Sequence, residues 1–101
     1  MDGHASISSD ILASYAADAA REVEGVRSLV ESALHRHKGV RILRDDGRVT
    51  IELHLAVEWN ASIPGLGRSV QDRVSEYLGR MADLRPDAVN VVVDEIGPRS
   101  T

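Results

Sequence analysis

The sequence predicts an α+β fold: a two-layer sandwich in the order α-β-β-β-α-β, with one four-stranded sheet and both helices on one face. Three observations predict it. Val49, Ile51, Leu53, Leu55, Val57 and Trp59 alternate with Thr50, Glu52, His54, Ala56 and Glu58, and alternation this long means a strand with one buried face. Two other segments, at residues 7–23 and 62–81, repeat apolar residues at helical spacing. An Asp46-Gly47 pair separates two strand-like runs, where a tight hairpin needs positive φ angles. Amphipathic helices and strands of this kind bury their stripes most simply by stacking helices on one side of one sheet.

In the first helix Ser8 is the expected N-cap, with Ile7 stapling onto Leu12. Ile11, Tyr15, Ala16, Ala19, Ala20 and Val23 form its inward stripe, the small alanines allowing close approach to the sheet. Gly25 ends it. Residues 26–34 are read as a first strand in which Val26, Val30 and Leu34 share one parity and Leu29 and Ala33 the other; if Val26 and Val30 point inward, Leu29 and Ala33 turn outward. Residues 40–44 form a short second strand, and 49–59 the long third one, whose parity places Trp59 in the core. Ser62 caps the second helix, Pro64 is tolerated in its first turn, and Ile63, Leu66, Val70, Val74, Tyr77, Leu78 and Met81 make its apolar stripe. Residues 89–96 are the last strand, which can join either edge of a three-stranded meander. One domain over residues 7–96, between tails at 1–6 and 97–101, accounts for the chain.

Composition narrows the function. A chain of 101 residues holds one modest core, and without Phe that core must be aliphatic. A net charge of −4 gives no general attraction to nucleic acid or to anionic lipid. Absent cysteine removes disulfides, thiolate catalysis and Cys-based zinc sites. No apolar run approaches the ~20 residues of a membrane span, and residues 1–6 lack the features of a signal peptide. The expectation is a cytoplasmic protein without direct membrane insertion, nucleic-acid partner, cofactor or resident metal.

Candidate sites are few. His35 and His37 share a parity, but Arg36 and Lys38 beside them repel a cation, so the segment reads as a solvated basic loop. His54 faces outward with no evident partner. Ser62, Gly65, Gly67, Arg68 and Ser69 open the second helix and form a candidate anion site, since N–H groups at a helix start can hold phosphate. The run lacks both the third glycine of the dinucleotide fingerprint and the Lys of a P-loop. No nucleophile, base and orienting group can be assembled. Helix–strands–helix order is shared with double-stranded RNA-binding domains, but Ile63 to Gly67 stand where that class carries lysines. The sheet face away from the helices carries Arg41, Leu43, Thr50, Glu52, His54, Glu58, Asn90, Val92 and Asp94. With Leu29 it offers a small apolar centre, Leu29, Leu43 and Val92, inside a charged rim that includes Glu52 and His54, an arrangement suited to a transient interface.

Several runs together resemble the bacterial alkaline-shock-protein family, also called the envelope stress response family. They are Ile7-Ser8 and the alanine-rich helix, Val23-Glu24-Gly25-Val26, Lys38-Gly39-Val40, the alternating strand from Val49 to Val57, Val70-Gln71-Asp72-Arg73-Val74, Met81, and Val89-Asn90-Val91-Val92-Val93 with Ile96. Trp59-Asn60 stands where the family commonly has Tyr-Gly. The resemblance implies a non-enzymatic, cytoplasmic interaction or scaffold protein in cell-envelope homeostasis. It also implies a protein partner, membrane-anchored in some members, which holds the module at the inner face of the membrane; a homo-oligomer is an open expectation. It brings no catalytic residues. The alternative reading is a small-ligand or anion-binding regulator using the start of the second helix.

Overall fold

The long alternating strand organises everything else. In the computed structural model, which describes residues 8–32 and 38–98, the order is α1 (Ser9–Arg21), β1 (Val26–Leu29), β2 (Val40–Asp45), β3 (Arg48–Glu58), α2 (Ile63–Ala82) and β4 (Ala88–Gly97). Val49, Ile51, Leu53, Leu55 and Val57 are all buried under the helices. The predicted hairpin forms, with Asp45 paired to Arg48 and positive φ at both Asp46 (56°) and Gly47 (81°). Such a turn matches the twist of the strands it joins.

The sheet is not a meander. β3 is central, and its eleven residues are long enough for β2 and β1 to lie end to end along one edge. β2 pairs antiparallel with residues 48–53 and β1 antiparallel with residues 55–57. β4 takes the other edge, parallel to β3. The α2 crossover returns the chain to the start of β3, where the Asp87 N–H donates to Val49 O (2.7 Å) and the Val49 N–H to Asp87 Oδ2 (2.7 Å).

Both helices pack on one face. α1 is capped as expected, the Ile11 N–H donating to Ser8 Oγ at 3.2 Å; the staple to Ile7 lies outside the described residues. Leu12, Ala13, Ala16, Ala17, Ala19 and Ala20 are buried, so the stripe is rotated from the expected one and Ile11 is exposed. On α2 the stripe reduces to Leu66, Val70, Val74 and Leu78, with Ile63 and Met81 exposed at its two ends. Ser62 occupies the N-cap position without a side-chain cap bond. The helices meet through a Tyr15–Tyr77 edge-to-face contact, centroids 5.8 Å apart, and an Arg73–Glu22 ion pair at 2.7 Å.

In the strands, two further inward–outward assignments change. Leu29 does not belong to the open face. A bulge between Val26 and Ser28 shifts the β1 register, so Leu29 pairs with inward-facing Leu55 and packs against the core. One extra residue inverts every later side chain of a strand. Trp59 does not close the core and is 67% exposed. β3 ends at Glu58, and the chain turns away before the parity of Trp59 can be used.

Candidate functional site

The open sheet face collects the charged and titratable groups. Glu52 and His54 are two apart on β3 and therefore point the same way. Asp94 joins them from β4, beside a register shift that lies between Leu55 and Ala56 on the facing strand. His54 Nε2 lies 2.7 Å from Glu52 Oε2, and its Nδ1 2.8 Å from Asp94 Oδ2. The residue is only 8% exposed. His54 thus has two partners where the sequence showed none. Burial pulls its pKa down, but the hydrogen bonds to Glu52 and Asp94 and the charges of both carboxylates outweigh it, and the net value is raised above the ordinary 6.5. With both ring nitrogens engaged, His54 ties β3 to β4 and has no nitrogen left to move a substrate proton.

The expected apolar centre of this face is not continuous. Leu43 pairs with Thr50, and Val92 with His54. With Leu29 on the other side, the polar Thr50, Glu52 and His54 separate Leu43 from Val92. The candidate anion site is also divided. Ser62, Gly65 and Ser69 line a groove with Glu24 and Glu58, whose carboxylates oppose an anion. Gly67 and Arg68 line a second groove of about 300 Å³ with Ile63, Pro64, Gln71, Val91 and Val93. His35 and His37 lie outside the described residues, among which no group of metal-ligating side chains occurs.

Apolar exposure gathers instead along β4. Trp59 sits at its end, the Trp59 N–H donating to Gly97 O at 2.9 Å. Ile96 is 55% and Val92 37% exposed, and Ile63 lines the groove beside Val91 and Val93. The period-two pattern counted Trp59 as core because it carries no information about where a strand stops.

The model of the alkaline shock protein 23 family, described as having a cell envelope-related function, matches residues 1–98. The chain belongs to this family. The uncharacterized protein YqhY of Bacillus subtilis (strain 168) is a relative, 31% identical over 100 residues that span 88% of this chain and 73% of YqhY. Among solved structures the fold is shared by the MamM CTD. A manganese form has a TM-score of 0.55 at 14% identity, covering 85% of this chain and 96% of that one. A further MamM-CTD variant reaches a TM-score of 0.58 at 12% identity, covering 91% of this chain and 100% of that one. At such identity the likeness is one of fold. Family membership carries a cell envelope-related role for this chain. No helix among the described residues is long and apolar enough to cross a membrane.

Proposed function

We propose that this chain is a non-enzymatic docking module of its envelope-related system, working in the cytoplasm and binding protein partners, a membrane-anchored one among them, through the β4 side. Trp59 carries this reading. A chain with only 3% aromatic residues and no Phe leaves its one Trp 67% exposed, beside Ile96 at 55%. Exposed Trp is the residue type that most often anchors an interface. The engaged nitrogens of His54 argue against catalysis, and Glu24 and Glu58 argue against the anion-binding alternative.

The test compares wild type with Trp59→Ala. The variant should melt within a few degrees of wild type, yet lose proteins cross-linked to the module in its native host. A panel of phosphate and phosphorylated metabolites should leave the melting temperature of both unchanged, whereas a ligand at 100 times its dissociation constant would add about 2.7 kcal/mol. Retention of every partner by Trp59→Ala would remove Trp59 from the interface. Stabilisation by phosphate would restore the anion reading.

A further inference from the structure

β4 is an edge strand, and only part of its free edge is guarded. Near its start Gln71 reaches over from α2, its Nε2 donating to Val89 O at 3.0 Å. Near its end the register shift opposite Leu55 and Ala56 interrupts the ladder at Asp94. Both are devices that blunt an edge. Between them the stretch Asn90-Val91-Val92-Val93 is unguarded. Because the Val89 carbonyl faces α2 rather than β3, alternation turns the N–H and C=O groups of Val91 and Val93 to the same open side. Among the described residues neither has a hydrogen-bond partner there. The side chains of Val91 and Val93 line the shallow groove with Ile63 and Pro64, while Val92 stands 37% exposed on the opposite face.

From this we infer that the free edge of β4 pairs antiparallel with β4 of a second copy of the chain, about a two-fold axis at Val92. The inference deepens the docking reading by naming one occupant of the β4 side. It rests on self-complementarity. With the axis at Val92, Val91 of each copy exchanges both hydrogen bonds with Val93 of the other, using the open groups and leaving Val89 to Gln71. Val92 meets its own copy and loses its exposure. Asn90 comes opposite Asp94, an amide donor facing a carboxylate. Moving the axis to Val91 would instead set Val93 of each copy against Val89 of the other. It would then demand the carbonyl that Gln71 already holds. A two-fold contact is the commonest closed arrangement of identical chains, and it extends this sheet without exposing a new edge.

The chain has no cysteine, so a single introduced thiol reports the register. Val92→Cys would sit in a non-hydrogen-bonded pair, with Cα atoms about 4.5 Å apart, within the span a disulfide bridges. Asn90→Cys would lie four residues from its own copy, about 13 Å along the strands, beyond that span. Under a glutathione redox buffer, Val92→Cys should form covalent dimer at least tenfold faster than Asn90→Cys. Adding Val91→Pro, which removes an edge-facing N–H without touching the β3 ladder, should abolish that advantage while circular dichroism stays native. Adding Trp59→Ala should not, so loss of Trp59-dependent capture and loss of cross-linking report separately. Equal rates for the two cysteine variants overturn the inference, whatever the stability of Val91→Pro. Faster linkage at Asn90→Cys overturns it too. A Val91→Pro that releases a foreign protein while Val92→Cys stays monomeric assigns the edge to another chain.

Discussion

Replacing His54 by Gln should make the stability of this domain less dependent on pH above neutrality, and the direction follows from its two carboxylate partners. Only the imidazolium donates from both nitrogens, to Glu52 at 2.7 Å and to Asp94 at 2.8 Å. The neutral ring donates once and turns a lone pair towards the other anionic oxygen. Folding therefore favours the charged form, and the folded pKa lies above the unfolded 6.5. A group raised in this way contributes its stability fully below the unfolded pKa and loses it as pH rises through the folded one. Each hydrogen bond to a charged acceptor is worth about 1.5–3 kcal/mol. The Asp94 side chain is 35% exposed, which places that bond at the low end, and a Gln amide restores one neutral bond worth about 0.5–1.5 kcal/mol. The net cost of His54→Gln at pH 6 is then about 2–3 kcal/mol, or roughly 10–20 °C in melting temperature for a domain of this size. Urea unfolding followed by circular dichroism, at steps from pH 5.5 to 9, measures it. Comparing the variant with wild type cancels the other histidines. The gap should narrow as pH rises, and its total change reads the shift at about 1.36 kcal/mol per unit. A gap that stays constant, or widens, would refute the clamp.

Gly39 and Gly47 both hold positive φ, 78° and 81°, but only Gly39 is enclosed, since an added Cβ would lie 2.9 Å from Leu29 Cβ and from the Val30 backbone. Gly47→Ala should cost about 1–2 kcal/mol, the left-handed backbone term alone, and Gly39→Ala clearly more; equal losses in chemical denaturation would show that the β1–β2 junction yields freely. Prolonged chelation should leave melting temperature and sedimentation unchanged, as expected for a chain in which Arg36 and Lys38 surround His35 and His37. A drop of several degrees that zinc reverses would establish a structural metal.

The sequence alone determined the element order, the N-cap positions of both helices, the Asp46-Gly47 hairpin and the inward residues from Val49 to Val57. These are local properties: periodicity, turn chemistry and capping act within a few residues of chain. It did not determine which strands are neighbours, because pairing is chosen by lengths and crossovers summed over the whole domain. The eleven residues of β3 let β1 and β2 share one edge, and α2 carries β4 to the other. Nor could it place Leu29, Trp59 or His54. Leu29 is turned inward by an irregularity in β1, and Trp59 is left outside by a strand that stops one residue early. His54 acquires Asp94 across forty residues only once β3 and β4 are side by side. Where a side chain's surroundings come from another element, its role is a property of the assembled sheet.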